Sequence, residues 1–271
     1  MLLLVRTWNL FHGNAKPPER EAFLENMVRL ISADGPAVVC LQEVPVWALG
    51  ELRHWSGMQA FGAVAARPTL GPLPSTPGIG RAITALDHGL LRSAFSGQAN
   101  AMLVATDLRA LEERVVTLNP RRFRTAQARR LSLSPFARVA WPKERRVCQA
   151  VRLRLDDGST MLVGNLHATS YPPDERLADA ELLRAATFLD GLAGPEEPVL
   201  LAGDLNVRYD RSRTLLDLCS AEWGFHGPSE GIDHVLVRGI ESERPERWPI
   251  ERRELDGRVL SDHTPVEVRV G

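Results

Sequence analysis

The chain has 271 residues, 44 % of them hydrophobic, and a formal net charge of −1. That length can bury a large core, and the even charge balance excludes a global field drawing nucleic acid or an anionic membrane to the whole surface. Three cysteines, Cys40, Cys148 and Cys219, sit in or beside apolar runs; their spacing gives neither a disulfide framework nor a zinc site, which fits a reducing compartment.

In chain order, MLLLVRTWN reads as a first strand over residues 2–9. Its apolar start is too short to cross a membrane and lacks the basic and cleavage-site features of a signal peptide. No transmembrane segment is expected, and the cytoplasm is the expected location. A loop follows at His12, Gly13 and Asn14. Phe23, Leu24, Met27, Val28 and Ile31 then recur at helical spacing, which predicts a helix over 18–31 between an entry at Pro17 and Pro18 and an exit at Asp34-Gly35-Pro36. AVVCL (37–41) is a short buried strand, and strand, helix, strand predicts an α/β layered domain. Residues 62–98, rich in Gly, Pro and Ser, read as a long loop with one short helix near 82–91, the kind of loop that is often functional or mobile. Segments 99–107, 114–118, 146–155 and 159–167 are strand-like, the last two joined by the turn signal Asp156-Asp157-Gly158. Leu177, Leu182, Leu183, Ala186 and Leu189 predict a helix over 174–191, and strands are predicted over 198–204, 232–237 and 265–270. With no repeat, low-complexity tail or linker, residues 1–271 read as a single domain.

Several of these runs stop on polar residues. The first ends at Asn9, VVCLQEV carries Glu43, and MLVGNLHATS places His167 at its end. VLLAGDLN supplies Asp204 and Asn206, GIDHVLV begins with Asp233, and LSDHTPVEV presents Asp262 and His263. Each alone also fits a turn, a cap or a core histidine. Together they point to one site assembled from strand ends and loops over a rigid sheet scaffold. Glu43, Asp262 and Asn9 offer hard oxygen ligands, which suit Mg²⁺ or Mn²⁺ better than zinc. His167 and His263 can contact phosphate oxygens or move protons near neutral pH. That equipment suits attack of water on a phosphate ester.

The strings TWNL (7–10), LQEV (41–44), GNLHATS (164–170), AGDLN (202–206), IDHVLV (232–237) and LSDHTPV (260–266) follow one another in an order that resembles the endonuclease/exonuclease/phosphatase family of metal-dependent phosphoesterases. The resemblance implies a four-layer α/β sandwich of two packed mixed β-sheets flanked by helices. It implies Glu43 as the Mg²⁺-ligating glutamate, with Asn9 and Asp262 near the same metal. It implies Asp204 as the aspartate that activates or orients water, with Asn206 as its partner. His263 matches the histidine beside the scissile phosphate, Asp233 the carboxylate that orients it, and His167 a phosphate-contacting histidine of the deoxyribonuclease-like branch. Asn100 stands where members carry a polar residue before a strand. Abasic-site enzymes of the family carry an acidic residue two positions after the first-strand asparagine; Phe11 stands there in this chain, followed by His12.

Between Glu113 and Glu144 no acidic residue occurs, while Arg114, Arg121, Arg122, Arg124, Arg129, Arg130, Arg138 and Lys143 do. With Phe136 and Trp141 nearby, this Arg-rich segment at 114–143 suits a phosphate backbone and stacked bases, and equally a solvated arginine-rich loop. The expected substrate is nucleic acid, with Arg121, Arg122 and Arg124 as backbone contacts. Two alternatives stand beside it. In a lipid or small-molecule phosphoesterase, residues such as Leu70, Leu73 and Ile79 of 62–98 would face a membrane surface in peripheral contact. A non-catalytic binding module of the same fold is the third reading.

Overall fold

The computed structural model describes residues 2–19, 22–86 and 92–271. In chain order its sheet strands are β1 (Leu3–Asn9), β2 (Val38–Val44), β3 (Gln59–Ala66), β4 (Gln98–Val104), β5 (Arg109–Thr117), β6 (Val147–Arg154), β7 (Thr160–His167), β8 (Val199–Asp204), β9 (Asp233–Arg238), β10 (Glu246–Arg247) and β11 (Val266–Val270). Its α-helices are α1 (Leu24–Ser32), α2 (Leu52–Ser56), α3 (Pro77–Leu86), α4 (Arg92–Ser96), α5 (Arg121–Arg130), α6 (Pro135–Ala140), α7 (Arg176–Leu192) and α8 (Arg213–Leu218). One sheet has the order β10-β11-β1-β2-β4-β3 and the other β9-β8-β7-β6-β5.

Each sheet holds one parallel pair, β1 with β2 and β7 with β8, and antiparallel neighbours elsewhere. A parallel pair needs a crossover, supplied by α1 in the first sheet and α7 in the second. The central strands β1, β2, β4, β7 and β8 are buried on both faces, which is why they read as nearly continuous apolar runs. Val5, Cys40 and Met102 from one sheet share a core with Val151, Val163 and Leu200 from the other. The outer faces carry Val39 and Leu41 against Met27 and Ile31 of α1, and Leu162 and Leu201 against Leu182 and Leu189 of α7. Each such side chain contributes roughly 2 kcal/mol of transfer free energy. The layers are therefore helix, sheet, sheet, helix, a four-layer α/β sandwich.

Polar side chains bolt the two sheets together. Asn165 of β7 donates from Nδ2 to Leu41 O at 3.1 Å and Ala101 O at 2.8 Å, and its Oδ1 accepts from Gln42 Nε2 at 2.8 Å. Asn165→Ala is expected to cost about 2–3 kcal/mol, because two buried carbonyls lose their donor. The measurement is the urea midpoint at unchanged m value.

Three segments differ from their sequence expectation. The helix predicted over 18–31 begins only at Leu24, after an N-terminal stretch of which residues 20–21 lie outside the described set. Residues 62–98 are not one loop: β3 runs to Ala66, Thr69–Leu70 pairs with Leu73–Pro74, and α3 and α4 follow. The helix expected near 82–91 overlaps the end of α3, and residues 87–91 lie outside the described set. β3 was hidden by its alanines and glycine, which have weak strand preference until a neighbouring strand fixes them. Beyond the end of β5 at Thr117, the Arg-rich segment forms the helices α5 and α6, as its Arg and Ala content allows. Among the described residues no helix is long and apolar enough to cross a membrane.

Candidate active site

The strand register carries the polar ends to one edge of the sandwich. His167 lies beside Asp204 in the parallel ladder, Asp204 faces Asp233 in the antiparallel one, and Asn9 pairs with Gln42 next to Glu43. Ligand sites of parallel α/β sheets lie beyond the carboxyl ends of the strands, and both parallel pairs end here.

Asp204 is the hub. It is 1 % exposed. Its Oδ2 accepts from Asn9 Nδ2 at 3.0 Å, and its Oδ1 from the backbone N–H of Asn206 at 3.1 Å. The same Oδ2 lies 3.4 Å from His167 Nε2 and 3.7 Å from His263 Nε2. Burial, and then the neighbouring Asp233 carboxylate, push the Asp204 carboxyl up to about 7. Asn206 holds the chain beyond it in a left-handed conformation (φ 50°), and its Nδ2 donates to Ala168 O at 3.0 Å.

His263 stands on a braced loop. Ser261 Oγ donates to Asn9 O at 2.7 Å and accepts from His263 N at 3.0 Å, while Trp8 Nε1 donates to His263 O at 3.1 Å. Its Nδ1 contacts both oxygens of Asp233 at 2.9 and 3.0 Å. Burial lowers its affinity for a proton, but the Asp233 hydrogen bond and the surrounding carboxylates outweigh it and raise His263 to about 10. With the folded value above the ordinary 6.5, the stability it contributes is complete below that pH and lost as pH rises through about 10. Asp233→Asn removes the main cause. In chelator, its melting temperature is therefore expected to fall most below pH 6.5 and to converge on the parent's above about pH 10, which a thermal-melt series reads directly.

Glu43 reaches the site through a bulge. The β2–β4 register shifts between Leu41 and Val44, and Glu43 itself has φ 53°; bulges next to active sites re-aim side chains in this way. Its Oε2 lies 3.5 Å from His12 Nε2 and its Oε1 3.8 Å from His167 Nε2. Burial pushes the Glu43 carboxyl up, with Arg146 and His263 opposing. His167 is held well below the ordinary histidine range by burial first and by the Arg146 guanidinium next. Arg146 NH1 is 2.9 Å from His167 Nδ1, and Arg146 NH2 pairs with Glu144 at 2.5 Å.

The structure thus gathers Asn9, Glu43, His167, Asp204, Asn206, Asp233 and His263. Asp262 stands at the rim, with Oδ2 4.0 Å from Lys16 Nζ and Oδ1 4.0 Å from His263 Nε2. Asn100 points between the sheets, its Nδ2 donating to Val147 O at 3.2 Å and Asn165 O at 3.4 Å. Arg121, Arg122 and Arg124 lie on α5, outside this cluster. Sequence reading missed Arg146, Gln98 (Nε2 3.1 Å from His167 Nδ1) and Glu181. Fully buried Glu181 on α7 accepts from Trp141 Nε1 at 2.6 Å and from the Thr169 N–H at 2.7 Å, so it fixes the turn after His167. No local motif marks these three; a glutamate on the apolar face of a predicted helix was the one available signal.

Among the described residues, Asp204, Asp233 and His263 form a group whose ligand atoms lie within 4.8 Å of one another and could hold a metal ion. Glu43 has no Arg or Lys nitrogen within 4.0 Å among the described residues; the imidazoles of His12 and His167 are its neighbours there. Asp204 and Asp233 meet here, with Glu43 facing His167 beside them, and the donors are predominantly oxygen. This set fits a hard divalent cation.

Two sheets whose strand ends gather carboxylates and histidines over one site carry the equipment for attack of water on a phosphoester. The Endonuclease/Exonuclease/phosphatase family profile matches residues 7–263; the chain belongs to this family, whose members are hydrolases acting on phosphoester bonds. A 130-residue stretch is 31 % identical to a UPF0294 protein of Vibrio cholerae serotype O1, covering 44 % of this chain and 42 % of that protein, so it spans under half of the curated relative. The fold is similar to that of an endonuclease/exonuclease/phosphatase of Bacteroides vulgatus (TM-score 0.69, 14 % identity, covering 100 % of this chain and 99 % of that one). It is also similar to the mannosyl-6-phosphatase of Bacteroides thetaiotaomicron VPI-5482 (TM-score 0.65, 15 % identity, 99 % of each chain).

Proposed function

We propose that this protein is a divalent-metal-dependent phosphodiesterase that hydrolyses nucleic acid by attack of water on phosphorus. The geometry that carries the hydrolytic reading is the buried Asp204 carboxyl, bonded to Asn9 at 3.0 Å and facing His167 and His263 at 3.4 and 3.7 Å, while the acid-free arginine run of α5 and α6 supports nucleic acid as the substrate. A general base works best when its pKa lies near the operating pH. Asp204 takes a proton from the attacking water as the water oxygen bonds to phosphorus, the P–O bond on the opposite side breaks and the leaving oxygen is protonated from solvent. The N–H of Asn206 and the amide of Asn9 hold the two Asp204 oxygens in place. Protonated His263, oriented by Asp233, donates a charge-assisted hydrogen bond to a non-bridging phosphoryl oxygen. Neutral His167, with Arg146 against its ring, sits where a second such oxygen can be met. Glu43, Asn9 and Asp262 are the residues that would hold Mg²⁺ or Mn²⁺, which when bound polarises the phosphoryl oxygens and neutralises the charge developing there.

The test is one hydrolysis panel in Mg²⁺: single-stranded DNA, plasmid duplex, RNA, sphingomyelin vesicles and phosphoinositide vesicles. Nucleic acid is expected to be cleaved, chelator to abolish the activity, and Mg²⁺ or Mn²⁺ to restore it. Turnover of lipid with every nucleic acid left intact would sink the reading. One observation favours that second reading: Leu73, 66 % exposed, and Ile79, 44 % exposed, project from the 69–86 region as a peripheral lipid enzyme would require.

A further inference from the structure

The hairpin of α5 and α6 carries a concentration of positive charge that the reaction described above does not use. Arg121, Arg122, Arg124, Arg129, Arg130, Arg138 and Lys143 fall between Asn119 and Glu144. Among the described residues none of them has a carboxylate within 4.0 Å, whereas Arg29, Arg114, Arg146, Arg152 and Arg176 each face one. Arg121, Arg124, Arg129 and Arg138 line one pocket of about 360 Å³, together with Thr125 and the nearly buried ring of Trp141. Among the described residues no acidic side chain lines it. Four like charges around one concavity repel one another unless an anion is present.

Two of these guanidinium groups are anchored by backbone. Arg138 Nε donates to Leu133 O at 3.0 Å, and Arg124 NH1 donates to Asn119 O. Their other N–H groups remain available to a ligand. The pocket also belongs to the catalytic edge of the sandwich. β5 ends at Thr117 opposite Val147, the start of β6, and the next residue of β6, Cys148, faces Leu166 beside His167. Asn119 ties the two regions directly, because its carbonyl holds Arg124 and its Oδ1 accepts from the backbone N–H of Arg146 at 3.0 Å. Arg146 in turn contacts His167.

We propose that this pocket is a second anion subsite, which grips a backbone phosphate of a single nucleic-acid strand away from the phosphate being cleaved. The proposal rests on the nucleic-acid reading above. A concave site lined by guanidinium forks suits one discrete phosphate, which each fork can bind through two N–H groups. Phe136, on the same helix α6 as Arg138, is 80 % exposed. The subsite makes the enzyme prefer a polymer to a mononucleotide ester, because only a strand can fill both positions.

The experiment uses the whole chain carrying Asp204→Asn, which binds without cleaving, and the fluorescence anisotropy of a labelled single-stranded oligonucleotide. Adding Arg129→Ala with Arg138→Ala is expected to weaken binding by about tenfold or more. Losing the one phosphate that the pocket neutralises should also flatten the log–log salt slope by about 0.7. Arg109→Ala with Arg154→Ala removes the same charge from the far end of β5 and β6 and is expected to change affinity by less than about twofold through general charge alone. Arg129→Lys with Arg138→Lys is expected to recover part of the loss, which separates ligand contact from damage to the fold. Equal binding by the two alanine pairs overturns the subsite and leaves the nucleic-acid reading standing. If the protein binds no oligonucleotide but binds phosphatidylglycerol vesicles through Arg129 and Arg138, both the nucleic-acid reading and this proposal fall.

Discussion

Asp204→Asn is expected to lower kcat/KM by about a thousandfold, within the range for loss of a positioned general base, while leaving the fold intact. The amide keeps the size and one acceptor of the carboxylate but cannot take a proton from water. Stability should move the other way. The folded Asp204 binds its proton more tightly than the unfolded chain does, at about 7 against 3.8, so its ionisation removes stability as pH rises through that window. In chelator above neutral pH, Asp204→Asn is therefore expected to melt at or above the parent temperature. An inactive variant that is no less stable shows that the buried charge is kept for chemistry. Undiminished hydrolysis by this variant would refute the proposed mechanism whatever the substrate.

Gly203→Ala is expected to destabilise the fold by about 3 kcal/mol or more, the upper range for forced overpacking. Gly203 has φ 140°, and a Cβ there would stand 1.9 Å from Leu166 O, an atom of the neighbouring strand that cannot turn aside. β7 and β8 would have to separate where His167 and Asp204 meet, so activity should fall with stability. Gly191→Ala is the contrasting change: on α7 a Cβ meets nothing within 4 Å, and the loss of unfolded-state freedom should stabilise by about 0.5–1 kcal/mol. Urea midpoints for the two variants should move in opposite directions.

Much of this layout is legible in the sequence because burial writes it there. An apolar run that stops on Asn9, His167 or Asp204 marks both a strand buried on two faces and the edge where burial ends. α7 shows itself through Leu177, Leu182 and Leu189, all fully buried, at helical spacing. The connection 156–158 shows itself through Asp157 and Gly158, and Asp157 Oδ1 indeed accepts from Ser159 N at 2.9 Å. What the sequence conceals depends on partners far along the chain. β3 and the exposed half of β5 are strands because β4 and β6 pair with them. Arg146 and Gln98 matter because of His167, 21 and 69 residues away. Asn100 is polar for a reason invisible locally, since it satisfies backbone carbonyls of the opposite sheet.

The braced loop at 261–263 bears on when the protein acquires its chemistry during synthesis. Asp262 and His263 lie just before β11, which pairs along β1, a strand made long before it. Until β11 is made and docks there, Ser261 has no Asn9 carbonyl to bind and His263 has no fixed place beside Asp233. A ribosome-bound chain that has made Asp204 and Asp233 but not β11 is thus expected to hold those carboxylates without the histidine that faces them. The strand that carries this loop reaches back to pair with β1, so the topology fixes the order in which the parts of the site come together.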